Sequence, residues 1–357
     1  MKNIVLFLVL SLWLAGLVSA QETTEQPPHQ AFVQRDIDSA GQDRLIFVDT
    51  TTGDQTPLSV TGERYTIIDG GVLFLDTSVN RVKVAKPDGT VTDYPFIQPT
   101  FSTRRVDWVV SDDGKQIAWT LTDGSANALT TTTTVANLDG SSAREVLVDG
   151  PREGIRAMPV ALAPDGVTLY MDYQPDVIGS LTPFQQYAGL FSVDVATGNV
   201  QALPDEPGCF CGAGIGSGYA VRLAVNAALS GFDVRVTNLA SGSAVTIPSL
   251  NLVGFTQAGD VLIAPDGTRA VYALAQVQNF GATNQSVRTV FVVVDLITHT
   301  QRALTDPITT FVHPVAWTED NSAILFTSPS LDGTWKVSLS DGRLVKVASA
   351  TYVGRVH

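Results

Sequence analysis

A two-residue turn signal recurs seven times along this chain and sets the scale of whatever it folds into. It reads Thr52-Gly53, Asp88-Gly89, Asp139-Gly140, Thr197-Gly198, Ser241-Gly242, Thr298-His299 and Asp341-Gly342. Each copy lies between an apolar run, such as Phe191 to Val195 or Val290 to Val294, and a shorter mixed run. Successive second members stand 36, 51, 58, 44, 57 and 43 residues apart. A unit repeating at that distance and built of short strands predicts an all-β fold, a β-propeller with four antiparallel strands per blade. Helical periodicity is nearly absent, and Gly and Pro punctuate the chain as such a fold requires.

A second series of turns fixes the register. Asp113-Gly114, Asp165-Gly166, Asp266-Gly267 and Asp320-Asn321 are separated by 52, 101 and 54 residues, so a disguised turn is expected near Gly216-Ser217-Gly218. Asp69-Gly70 supplies the same turn 44 residues before Gly114. Asp-Gly and Asn-containing pairs tolerate the positive φ that tight hairpins demand. The first series then joins third strands to fourth, and the second joins first strands to second. Seven of one and six of the other leave one blade without an innermost strand. The deficit falls at the N-terminus, where Phe32 to Ile37, Leu45 to Asp49 and Gln55 to Ser59 supply only three strands. The run from Thr351 to Val356 has no blade of its own and is expected to close the ring as the missing strand. The prediction is a seven-bladed propeller over residues 31–357.

Val160 to Gly166 and Pro314 to Asn321 are similar to the Pro-x-x-Trp-Ser-Pro-Asp-Gly repeat of TolB-like, WD-repeat-like propellers. Ser111 to Gly114, followed by Ile117-Ala118-Trp119, resembles it too. The resemblance implies that the motif ends an innermost strand and that Asp194 to Gly198 joins a third strand to a fourth. It covers nearly all of the chain after residue 30 and speaks to architecture more than to function. Trp317 alone supplies the motif's Trp; Val110, Leu162 and Ile263 replace it elsewhere, and the unit from Cys209 to Leu250 lacks the Asp-Gly pair. The chain therefore reads as a diverged member.

Residues 1–20 read as a signal peptide: Lys2, an apolar stretch from Ile4 to Val18, then Val18-Ser19-Ala20 as a small-residue cleavage site. Export to an extracytoplasmic compartment, periplasmic or secreted, follows from that reading. Residues 21–30, with Pro27-Pro28 and no apolar face, read as a disordered tether. No second long apolar segment follows, so no membrane span is expected after cleavage. The formal net charge is −13, with 22 Lys and Arg against 35 Asp and Glu, which argues against nucleic acid as a partner. A monomer is expected.

Candidate chemistry is sparse, and neither catalytic residues nor a cofactor are expected. Cys209-Phe210-Cys211 is the chain's only cysteine pair, open to a local disulfide, two thiols or a metal. The four His, at 29, 299, 313 and 357, are scattered, so no metal site is expected. The glycines from Gly212 to Gly218 miss the spacing of a phosphate loop, and no Lys-Ser/Thr pair follows. They read instead as a closely packed strand near the axis. His313, before Pro314 at the start of an innermost strand, either faces the channel or is a partly exposed loop residue. His299 is expected to fill a left-handed turn position.

Strand numbering places the second-to-third-strand loops and the blade-to-blade loops on one face. Two of the former are long, Tyr173 to Ala188 and Ala275 to Thr289, and carry Phe184, Tyr187 and Phe280 in polar surroundings. The same face should hold Arg104, Arg105, Arg152, Arg156 and the segment around Phe210. Aromatic and Arg side chains are the types that dominate interface energetics, and clustered Arg on an acidic chain would draw an acidic segment. Alternatively these Arg pair with carboxylates such as Asp107, Glu153 and Asp205 and carry no net field. The function expected is a non-enzymatic exported scaffold binding a protein or peptide on this face. The alternative is a hydrolase or lyase at the channel mouth, which converging carboxylates or His there would favour.

Overall fold

In the computed structural model, residues 28–35, 41–176, 182–204, 206–207 and 209–356 are described. The expected signal peptide and residues 21–27 of the expected tether lie outside them. So does Asp205 as an Arg partner. All regular structure is β: seven four-stranded antiparallel sheets, each a blade, with no helix among the described residues. No helix is long and apolar enough to cross a membrane.

Hairpin chemistry accounts for the blades. Every third-to-fourth-strand turn ends on a residue of positive φ, at Gly53, Gly89, Gly140, Gly198, Gly242, His299 and Gly342. An Asp or Asn before it commonly caps the turn: Asp194 Oδ1 accepts from Thr197 N at 2.7 Å, and Asn238 Oδ1 from Ser241 N at 2.9 Å. The first-to-second-strand turns lie at Asp69, Asp113, Asp165, Ser217, Asp266 and Asp320, the disguised one pairing Gly216 with Tyr219. Gly212 to Gly218 belongs mostly to the innermost strand Ala213–Gly216, where the backbone runs against the next blade. A Cβ on Gly214 would lie 2.6 Å from Val261 O.

The first blade is Thr351–Val356, His29–Gln34, Asp43–Asp49 and Gln55–Val60, in that spatial order. The C-terminal strand is therefore its innermost member, as the turn count requires. Its partner strand begins at His29, two residues earlier than the tether boundary expected from polarity, because Val356 and Arg355 pair with His29 and Gln30. Backbone pairing, not side-chain hydropathy, orders that stretch.

The core sits between blades. One cluster joins Val221, Leu223 and Val236 of the fifth blade to Tyr272, Leu274 and Val292 of the sixth. Others join Leu73 to Trp119 across the second and third blades, and Phe291 to Phe326 across the sixth and seventh. Each fully buried aromatic or aliphatic side chain contributes about 1.5–3 kcal/mol by transfer from water. Thr130 to Thr134 lie in a strand, Ala128–Asn137, in which buried Thr133 meets Thr120 hydroxyl to hydroxyl at 2.8 Å. The innermost strands start on one face and run down the axis, so their first residues ring the channel mouth.

Candidate functional site at the channel mouth

The strand starts bring charge to the axis because they are bulged. In Gly62–Ile68 the register slips between Glu63 and Thr66, in Thr103–Val110 between Thr103 and Arg105, and in Gln257–Ile263 between Gly259 and Leu262. An extra residue in one strand turns a side chain away from the ladder. Here the bulges contain Arg64, Arg104 and Asp260. Other innermost strands bulge too, but only Arg64 and Asp260 do so as non-glycine residues of positive φ, 59° and 53°. Such conformations cost on the order of 1–3 kcal/mol and concentrate at functional sites.

Both residues line a cavity of about 500 Å³ at the mouth, with Asp107, Arg156, Phe210 and His313. Asp107 is buried at 2% exposure and accepts from Arg64 Nη1 at 2.7 Å on one oxygen and from Arg156 Nη1 on the other. Asp176, also buried, accepts from Arg104 Nη2 at 2.7 Å on its carboxylate and from Arg105 Nη2 at 3.3 Å on its backbone oxygen. Across the mouth, Asp260 accepts from the Gln185 backbone N–H at 2.6 Å, and its second oxygen lies 2.6 Å from His313 Nδ1. Among the described residues, no three His, Cys, Asp or Glu side chains gather as metal ligands would.

Two buried polar residues fix the loops around this cavity. Asp172 accepts from the backbone N–H of Gly189 at 2.7 Å and Ala188 at 3.1 Å, closing the long loop after Thr168–Pro175. Burial pushes its carboxyl above the ordinary range, against the lowering effect of those same N–H groups. Arg222 donates to the carbonyls of Cys209 and Cys211, both at 3.0 Å, and pairs with Glu206. Cys209 and Cys211 form a disulfide. The backbones of Tyr187 and Cys211 bridge each other, which ties the two loops together.

The predicted recognition residues divide sharply. Phe184 is not an exposed anchor: it is 3% exposed, edge-on to Phe311 and to His313, both at 5.7 Å between ring centres. Tyr187 is half-buried, and burial pushes its hydroxyl up to about 12. Both aromatics cap neighbouring strands instead of presenting themselves to solvent, because a long loop with an apolar base nearby folds onto it. Phe280 at 70% and Phe210 at 41% are exposed as expected. Arg156, Arg104 and Arg105 meet at the mouth as described, while Arg152 pairs with Asp149 at 2.6 Å away from them. The Arg are thus paired, with Asp107 as expected but otherwise with Asp176 and Asp149. His313 faces the mouth.

Sequence reading missed three kinds of residue. Asp176 and Asp260 became visible only through cross-blade pairing. Arg64 sits inside a strand, Gly62–Ile68, whose consecutive charged residues do not say which one is extra. Exposed apolar side chains on this face include Val79, Phe101, Leu229 and Val253 as well as Phe210 and Phe280, whereas the tight turns of the opposite face expose Val167 and Ile297. Phe101, wholly exposed within Pro99-Thr100-Phe101-Ser102, had the same signal as Phe280: an aromatic among turn residues.

No protein-family model and no curated protein matches the sequence. Solved structures do match the fold. An oligogalacturonate lyase in complex with manganese aligns with a TM-score of 0.56 at 10% identity, over 85% of this chain and 87% of that one. The hydrazine synthase of Kuenenia stuttgartiensis aligns at 0.50 and 12% identity, over 77% and 76%. TolB from Acinetobacter baumannii aligns at 0.45 and 11% identity, over 92% and 82%. Likeness at these identities concerns the fold alone. The propeller architecture expected from the TolB-like turn repeats is the one observed.

Proposed function

We propose that this protein is an exported, non-enzymatic propeller scaffold that binds a protein or peptide on its loop face. The observation that carries the reading is the sidedness of apolar side chains exposed on loops, others, such as Val148, Val245 and Val347, being spread along the outermost strands. Val79, Phe101, Phe210, Leu229, Val253 and Phe280 all stand on loops of the face that holds the channel mouth. Exposed apolar residues concentrated on one face, rimmed by polar groups, are the surface signature of association. The leader-like N-terminus supports an extracytoplasmic setting.

The test is capture from the envelope fraction of the source organism, followed by a triple variant, Phe101→Ser, Phe210→Ser and Phe280→Ser. The variant should lose the captured partner at least tenfold with its melting temperature unchanged, since all three side chains are exposed. A variant of Val167 and Ile297 on the opposite face should retain it. Retention by the first and loss by the second would overturn the reading.

A second reading, a hydrolase or lyase at the mouth, is favoured by one observation. His313 and Asp260 form a hydrogen-bonded pair in a cavity that also holds Arg64 and Arg156, the arrangement of an acid–base group beside an anion clamp. Turnover of an acidic oligosaccharide that is lost in His313→Ala would favour this reading over a scaffold.

A further inference from the structure

We infer that the channel mouth is a carboxylate-recognition site, built to take an acidic peptide segment of the bound partner. This rests on the scaffold reading above and adds the chemistry of the segment that enters the channel.

The first observation is the local balance of charge. Arg64 and Arg156 share Asp107, and Arg104 and Arg105 share Asp176. The cavity lining sets three guanidiniums, Arg64, Arg105 and Arg156, against three carboxylates, Asp107, Asp176 and Asp260, with Asp260 standing against His313. The cavity is thus a locally balanced site with accessible guanidiniums on a chain whose formal net charge is −13.

The second observation is layering. Asp107 and Asp176 have side chains only 3% and 2% exposed, whereas those of Arg64, Arg104 and Arg105 are 33%, 39% and 54% exposed. Arg64 and Arg105 are therefore the more accessible charged groups of the cavity, whereas Asp107 and Asp176, which also line it, and Arg156, at 12%, are set deeper. Arg64 and Arg156 each engage Asp107 through a single terminal nitrogen, which leaves the other terminal nitrogen of each. A guanidinium has five N–H donors, so donors remain for an incoming carboxylate, with which Arg forms planar paired bonds.

The third observation is preorganisation. Arg64 is held in a left-handed bulge and stacks over the Trp108 ring at 5.2 Å. Asp260, in the matching bulge across the axis, anchors the Gln185 backbone and so holds that loop over the cavity. Strained residues at both ends of one cavity fix the clamp before a ligand arrives, which lowers the ordering cost of binding. A peptide is favoured over other polyanions by Phe210, which puts an exposed aromatic ring on the cavity wall beside the cations. Mixed apolar and acidic side chains along one strand would satisfy both.

The probe is a fluorescein-labelled hexaglutamate peptide, read by anisotropy against the full-length mature protein, with oligolysine and a Gly-Ser peptide as controls. Hexaglutamate should bind, the controls should not, and affinity should fall at least tenfold between about 50 and 300 mM salt. Arg105→Glu, at an exposed position, should weaken binding at least tenfold with an unchanged melting temperature. Arg81→Glu, the same charge change on an outer strand, should leave it unchanged. Arg156→Gln gives a second, uncharged readout of the clamp. Equal losses in the Arg105 and Arg81 variants would reduce the effect to net charge and overturn the site. Binding of hexagalacturonate in place of hexaglutamate would overturn the peptide assignment in favour of an acidic sugar. Because Phe101 and Phe280 stand outside the cavity lining, a double variant Phe101→Ser and Phe280→Ser tests the scaffold alone while the Arg variants test the clamp, so the two ideas fail separately.

Discussion

At the residue scale, the seven turns between third and fourth strands solve one geometric problem in different ways. Six of them place Gly at the positive-φ position, and the seventh places His299 there, at φ 54°. A side chain in that region brings its Cβ close to backbone oxygen, at a cost of roughly 1–2 kcal/mol that Gly escapes. Gly gives back part of that gain through its larger unfolded-state entropy, roughly 0.5–1 kcal/mol. His299→Gly should therefore raise stability by about 0.5 kcal/mol, and His299→Val should lower it by about 1–2 kcal/mol, since branching at Cβ sharpens the clash. Denaturant midpoints of the two variants check this directly. Movement of both in one direction would mean that the ring makes contacts that outweigh the backbone preference.

At the element scale, ring closure depends on one short strand. Thr351–Val356 pairs with His29 to Val33 and puts Val356 at 2% exposure against the first blade's core. Deleting residues 350–357 removes a ladder of about five backbone hydrogen bonds, worth on the order of 5 kcal/mol in total, and opens an edge on the neighbouring strand. The melting temperature should fall by roughly 10 °C; an unchanged value would mean that the ring closes by other contacts. This strand was legible in the sequence because hairpin turns are local, so counting them counts strands. The bulges were not legible. Arg64 lies beside Glu63 in a run where two successive charged residues do not say which one is extra, and Gly259 before Asp260 is a bulge signal of a kind that also marks close backbone approach. The charge pairs were still further out of reach: Arg156 finds Asp107 at a separation of 49 residues, and His313 finds Asp260 at 53. Such pairs are set by which blades adjoin across the axis. Phe184 shows the opposite failure, since polarity of its flanks marked it as exposed while Phe311, on another blade, covers it.

At the scale of the whole molecule, the same turn chemistry that defines the blades makes the ring sensitive to acid. The carboxyls of Asp49, Asp88, Asp113, Asp139, Asp194, Asp266, Asp295, Asp320 and Asp341 are all held below the usual carboxylate range. The cause is local: hydroxyl and backbone N–H donors of the turn aim at the ionised oxygen, Thr318 Oγ1 first of all at Asp320, whose value drops to about 2. A carboxyl whose folded value lies below its unfolded one favours the ionised folded state. Its contribution is fully present above the unfolded value near 3.8 and is lost as pH falls through the folded value. These turns occur in every blade but the fifth, where Asn238 and Ser217 stand in place of Asp. The ring should thus lose stability steeply as pH drops from about 4 towards 2, with small contributions arriving together from six of its seven blades. Asp320→Asn isolates one of them. It keeps an acceptor for the turn but removes the charge, so it should melt below the parent at about pH 6, and the gap should close as pH falls through about 2. The fifth blade gives an internal control, since Asn238→Asp adds a carboxyl to a turn of the same kind and should make the parent curve steeper. A gap for Asp320→Asn that stays constant from neutral pH down to about 2 would show that the turn relies on acceptor geometry alone and that acid acts elsewhere in the ring.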